Sequence, residues 1–125
     1  MINGRVNAHR EALVSLSLRG AQAEEHAIEA VIDTGYNGFL TLPPGLIKQL
    51  GLPFLRSSRA ILGDGSIIEF DLHEAIVVWN GRLRRIPVDA AEVSPLLGMG
   101  LLYGHRLSVD VIEHGNVLVR PLEIS

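Results

Sequence analysis

Hydrophobic and polar residues alternate with a period of two early in the chain. Val14, Leu16 and Leu18 face one way, and Ser15, Ser17 and Arg19 the other, which predicts a strand over Ala12 to Arg19 with one wet face. Gly4 to Ala8 reads as a strand before it, and Gly20 to Glu25 as a turn after it. The run from Ile28 to Ile32 is rich in β-branched residues and predicts a half-buried strand. It ends abruptly at Asp33-Thr34-Gly35-Tyr36-Asn37-Gly38, and a short extended piece, Phe39 to Leu42, follows. Pro43-Pro44 stops that piece and opens a helix of about two turns: Pro44 fits the first helical position, Leu46, Ile47 and Leu50 form one apolar stripe, and Gly51 fits the C-terminal cap.

From Phe54 onward the pattern is again that of strands. Arg59 to Leu62 and Ser66 to Phe70 flank Gly63-Asp64-Gly65, and Ile76 to Trp79 and Arg82 to Val88 flank Asn80-Gly81. Both are hairpin signals. Ala90 to Ser94 is a connection, Pro95-Leu96-Leu97-Gly98 a buried apolar stop, and Met99 to Tyr103 a short helix closed by Gly104. Leu107 to Ile112 and Val117 to Val119 form a last hairpin around His114-Gly115-Asn116. About seven to nine short strands, with turns every 8–12 residues or so, predict an all-β barrel or sandwich with one or two short helices.

The chain has 125 residues, close to the commonest domain size, and residues 1–125 read as a single domain with no repeat or linker. Its 47% hydrophobic content supports a substantial core, which aliphatic side chains must fill because aromatics are few. A net charge of −3 gives no footprint for nucleic acid. Arg82-Leu83-Arg84-Arg85 reads as a solvated strand face. With no cysteine, disulfides and thiolate metal sites are unavailable. No apolar run approaches the roughly 18 residues of a membrane span, and the N-terminus lacks the shape of a signal peptide, so a cytoplasmic protein is expected.

Asp33 is the leading chemical candidate. A carboxylate at the lip of a rigid strand, in a loop rich in main-chain N–H groups, is a good place for a site. On its own it reads first as a turn aspartate capping its own loop. Gly98 to Gly104 is one residue too long for a dinucleotide loop, and too little chain follows it for a βαβ unit. His9, His26, His73, His105 and His114 are scattered without an i, i+4 pair, so no metal is expected. Asp110 reads as a structural acid, and Asp71 and Asp89 have no second motif beside them.

Three features in order resemble the retropepsin-like aspartic proteases, in their branch of compact single-domain prokaryotic members. Asp33-Thr34-Gly35 is similar to the catalytic signature, the hairpin tipped by Gly63-Asp64-Gly65 to the flap, and Leu96-Leu97-Gly98 to the apolar-apolar-glycine motif beside the catalytic loop. Together they span Ile28 to Leu107. The resemblance implies a closed β-barrel with a flap hairpin, and an endopeptidase that needs no cofactor or metal. Because the chain holds one such signature, it also implies a homodimer in which each subunit supplies an Asp33 to a shared dyad. Thr34 would brace the paired loops, and the Gly35 N–H would reach a carboxylate. The flap, Leu62, Gly63, Asp64, Gly65 and Ser66, would close over an extended peptide substrate. The termini often interleave in this family, and Val117 to Ile124 is apolar enough to do so.

The chain departs from the family at Tyr36, where most members have Ala or Ser. A bulky Tyr must point away from the dyad, into the core or over the pocket. Asp-Thr-Gly-aromatic-Asn-Gly is similar to the prokaryotic subgroup. The flap also carries a charge at its tip and lacks the aromatic that two-lobed relatives place there. The rival expectation, from another class, is a binding or dimerisation module that keeps the fold with little or no peptidase activity.

Overall fold

A computed structural model describes residues 1–123. Among them the elements run β1 (Ile2–Val6), β2 (Ala12–Arg19), β3 (Glu25–Ile32), β4 (Leu40–Leu42), α1 (Pro44–Leu50), β5 (Phe54–Ile61), β6 (Ile67–Trp79), β7 (Arg82–Ala90), β8 (Leu96–Leu97), α2 (Met99–Leu102), β9 (His105–Val109) and β10 (Asn116–Pro121). The protein is thus mostly β, with two short helices. No helix among the described residues is long and apolar enough to cross a membrane.

The strands form one sheet in the order β5-β6-β7-β4-β8-β3-β2-β1-β10-β9. A further antiparallel pairing, Ser17↔Val78 to Arg19↔Ile76, joins β2 to β6, so the path β6-β7-β4-β8-β3-β2 leads back to β6. Most neighbours are antiparallel, but β3 pairs with β8, and β4 with β7, in parallel. The alternation in β2 is realised: Val14, Leu16 and Leu18 are buried, whereas Ser15 is exposed. They join Leu40, Leu42, Val77, Val88, Leu97, Leu101, Val117 and Val119 in one aliphatic cluster. Burying such a side chain contributes roughly 1.5–3 kcal/mol each, which is how a chain poor in aromatics holds its core.

The helix α1 begins after Pro43, carries Pro44 in its first turn and ends at Gly51, whose φ of 67° is left-handed. The Gly51 N–H satisfies late helix carbonyls, and Ile47 and Leu50 are buried. The turn at Asn80-Gly81 also takes the positive φ expected of it, 51° and 76°.

Three boundaries differ from the sequence reading. β1 stops at Val6, because the Asn7 side chain accepts the N–H groups of His9 and Glu11 and folds the chain into a turn. β6 is one strand of 13 residues, not two. Its buried positions change phase between Leu72 and Ala75, where the strand leaves the β5–β6 arm and joins β7 and β2. A period-two pattern broken there looks like an interruption. In the last hairpin, β9 ends at Val109, and Val111 and Ile112 are exposed in the turn. Val117 and Val119 are fully buried in the chain's own core and paired with β1 and β9, so they are not free to interleave with another chain. Ile124 lies outside the described residues.

The arginine cluster is only partly a solvated face. Arg82 and Arg85 are exposed, Arg85 bonding Glu74 at 2.7 Å, but Arg84 is half-buried with its guanidinium 5.4 Å from the centre of the Phe39 ring.

Candidate active site

Asp33 leaves the end of β3, and the chain returns as β4 seven residues after Asp33. Both legs of this loop pair with the same short strand: Val31↔Leu96 and Ile32↔Leu97 on one side, Leu40↔Leu97 and Thr41↔Leu96 on the other. β8 is therefore threaded between the legs, and its own exit runs beneath the loop. The Asp33 N–H bonds the Leu97 carbonyl at 2.9 Å, and the Gly98 N–H bonds the Phe39 carbonyl at 3.0 Å. Further along, Met99 N–H reaches the Tyr36 carbonyl at 2.8 Å, and Gly100 N–H the Gly38 carbonyl at 2.9 Å. These bonds fix the backbone from which the Asp33 side chain projects. Asp33 as a residue is partly covered, and its carboxylate accepts the Gly35 N–H on Oδ1 at 3.0 Å in a bond that is open to solvent. Thr34 and Gly35 are exposed beside it.

Close approach demands glycine at Gly98. A Cβ there would overlap the Gly38 carbonyl oxygen and sit 2.5 Å from Tyr36 Cδ2 and 2.8 Å from the Tyr36 carbonyl oxygen. Gly38 is needed for a different reason, because its Cβ would run into the Tyr36 ring itself. The two glycines make a slot, one wall from each motif, and Tyr36 fills it. The ring is turned inward, so Tyr36 neither crowds Asp33 nor lies free over the loop. Its hydroxyl donates to Asp89 Oδ2 at 2.6 Å, 53 residues away in sequence. Burial holds the phenol's pKa well above its ordinary value, and the bond to Asp89 acts in the same direction.

Nothing in the residue pattern marks Asp89 as part of this neighbourhood. Asp89 lies opposite Leu72 of β6 and Thr41 of β4 in register. A hydrogen-bonding Tyr that must be buried, and an acid one residue past an apolar strand run, are a signal only when both are known to meet.

The other predicted segment stands apart. Leu62, Gly63, Asp64, Gly65 and Ser66 form the tip of the β5–β6 hairpin, closed by Leu62 N–H to Ser66 O at 2.8 Å. Gly65 takes a φ of 85°. Asp64 Oδ1 accepts both the Ser66 hydroxyl (2.6 Å) and the Ser66 N–H (2.9 Å), which hold its pKa below the ordinary carboxylate value. The arm is sparsely packed: Ile61 is 78% and Ile67 61% exposed. No hydrogen bond links it to the Asp33 loop among the described residues. The structure thus joins the Asp33 and Leu96–Gly98 motifs directly and leaves the hairpin tip projecting.

No group of three or more His, Asp or Glu converges to hold a metal ion among the described residues. His105 is internally satisfied, with Nε2 3.1 Å from Trp79 Nε1 and 2.8 Å from Asn80 Nδ2, and Nδ1 3.0 Å from the Tyr103 carbonyl. No protein-family model matches this chain, and no curated protein matches it.

Proposed function

We propose that the chain is a retropepsin-like aspartic endopeptidase: a closed barrel that pairs with a second copy of itself, bringing two Asp33 carboxylates into one dyad. The observation that carries this reading is the threading of β8 between the two legs of the Asp33 loop. It sets a carboxylate, with one oxygen already bonded to the Gly35 N–H and open to solvent, on a backbone pinned to β8.

Such a carboxylate suits one half of an acid–base pair. Two of them close together share a proton, because both cannot ionise comfortably at that distance, as is established for aspartic proteases as a class. The ionised member takes a proton from a water held between them, and the water oxygen bonds to the peptide carbonyl carbon. The protonated member gives its proton to the carbonyl oxygen, forming a neutral gem-diol. Return of a proton to the nitrogen as the C–N bond breaks yields acid and amine, with no covalent enzyme intermediate. Thr34, exposed next to Asp33, would brace the facing loops. The projecting arm is suited to closing over an extended peptide and adding main-chain hydrogen bonds to it.

The test is digestion of a peptide library across roughly pH 3–7 by wild type and Asp33→Asn, the range in which carboxylate dyads work. Cleavage by the wild type that vanishes in the variant supports the proposal. No cleavage by either protein, or equal cleavage by both, refutes it in favour of a binding module.

A further inference from the structure

We propose that Tyr36 and Asp89 act together as a positioning pair for Asp33, tying the loop that carries it to the strand that supports the flap hairpin. The proposal rests on the endopeptidase reading and adds to it two residues that would act through Asp33.

Tyr36 is held at three points. Its N–H bonds the Asp33 carbonyl at 3.2 Å, its carbonyl takes the Met99 N–H at 2.8 Å, and its hydroxyl donates to Asp89 Oδ2 at 2.6 Å. The first contact is to the residue whose side chain does the chemistry. The second is to the segment leaving β8. The third reaches β7, where Asp89 lies opposite Leu72, at the base of the β6 half of the hairpin arm. The ring between these points occupies the Gly38–Gly98 slot. The residue is therefore a rigid strut between the Asp33 loop and β7.

The slot explains why this position can depart from a small residue. Without Tyr36, the space between Gly38, Gly98 and Asp89 would be a gap under the Asp33 loop. A hydroxyl bonded to a partly buried carboxylate is a directional tie that apolar packing cannot replace. Losing one partner also leaves the other unsatisfied, which costs more than losing both. The two residues should therefore behave as a unit.

The experiment compares wild type with Tyr36→Phe, Asp89→Asn, Asp89→Leu and the double variant Tyr36→Phe/Asp89→Leu. Two readouts are taken: kcat and KM on a fluorogenic peptide from the library digestion, and amide hydrogen exchange at residue 36, Met99 and Gly100. A positioning pair predicts that Tyr36→Phe lowers kcat by about tenfold or more with KM held within about twofold. Asp89→Asn, which keeps an oxygen acceptor, should retain more activity than Asp89→Leu. The double variant should be no worse than Tyr36→Phe alone. The three loop amides should exchange about tenfold faster in Tyr36→Phe, while those of Val14 and Val117 stay unchanged.

A lower melting temperature with kcat per folded dimer within about twofold of wild type would mean a merely structural role and would overturn the proposal. Additive losses in the double variant would overturn it as well. If the wild type cleaves no peptide, the endopeptidase reading fails on its own account. The exchange data still decide whether Tyr36 and Asp89 fix the loop, and unchanged exchange in Tyr36→Phe refutes that.

Discussion

Replacing Gly98 by alanine is the sharpest probe of how the Asp33 loop is held. Its backbone, at φ −104° and ψ 178°, is extended and open to any residue, so the substitution carries no conformational strain. The cost is contact. The added methyl would overlap the Gly38 carbonyl oxygen and lie 2.5 Å from Tyr36 Cδ2 and 2.8 Å from the Tyr36 carbonyl oxygen. Two of those three neighbours are backbone and cannot swing aside, so the segments must part by about an ångström to restore ordinary contact. Three hydrogen bonds cross the same seam: Gly98 to Phe39 (3.0 Å), Met99 to Tyr36 (2.8 Å) and Gly100 to Gly38 (2.9 Å). Overpacking costs about 1–3 kcal/mol, and each weakened bond about 0.5–1.5. Because parting the segments relieves the overlap while weakening the bonds, these do not simply add, and a loss of about 2–4 kcal/mol is expected.

The assay is urea unfolding at fixed protein concentration, with Gly63→Ala as the reference. A Cβ at Gly63 meets nothing within 4 Å, yet the same glycine flexibility is removed from the unfolded chain. Gly63→Ala should stay within about 0.5 kcal/mol of wild type, and Gly98→Ala should lower the midpoint by about 1 M or more with m unchanged. Equal midpoints for the two variants would refute the close approach of β8's exit to the Asp33 loop.

Other expectations follow from burial and titration. The raised pKa of Tyr36 means the folded phenol holds its proton where the unfolded one has lost it. Its contribution is complete below the ordinary value of 10.0 and declines as pH rises toward the folded value. The alkaline loss of stability should therefore be shallower in Tyr36→Phe, and an identical alkaline slope would contradict the burial. Asp64 is the opposite case. Its lowered pKa gives a contribution present above 3.8 and lost as pH falls through the folded value, so the Ser66 amide should lose protection only in strong acid, with no such step in Asp64→Ala. A Ser66 amide that responds to acid equally in both proteins would exclude the Asp64 cap. Leu18→Ala should cost about 2–5 kcal/mol because Leu18 is 0% exposed, whereas Ile61→Ala, at 78% exposure on the arm, should change stability by less than about 0.5. Chemical denaturation reads both, and comparable losses would mean that the arm is packed.

Much of this fold was legible where local chemistry decides the outcome. The alternation of Val14, Leu16 and Leu18, the Pro44 and Gly51 ends of α1, and the glycine turns at Gly65 and Gly81 are all set by neighbours in sequence. What could not be read depends on distant segments. The continuity of β6 is hidden by a phase change that makes sense only once its partner strands are known. Burial of Val117 and Val119 follows from β10 lying between β1 and β9. At the candidate site, Asp33 and Leu96–Gly98 each stood out, but Asp89 looked like an isolated acid, because its partner lies 53 residues away. The inward turn of Tyr36 likewise needed both Gly38 and Gly98 in place.

The proposed dyad is one that neither chain can build by itself, and co-refolding measures that directly. Wild type and Asp33→Asn are unfolded together, refolded in varying proportions at constant total chain, and assayed on one peptide. A site shared across two subunits predicts a rate that falls with the square of the wild-type fraction, because mixed dimers hold one ionisable Asp33 where two are needed. A rate that falls in simple proportion to the wild-type fraction would show each chain acting alone and would contradict the shared dyad.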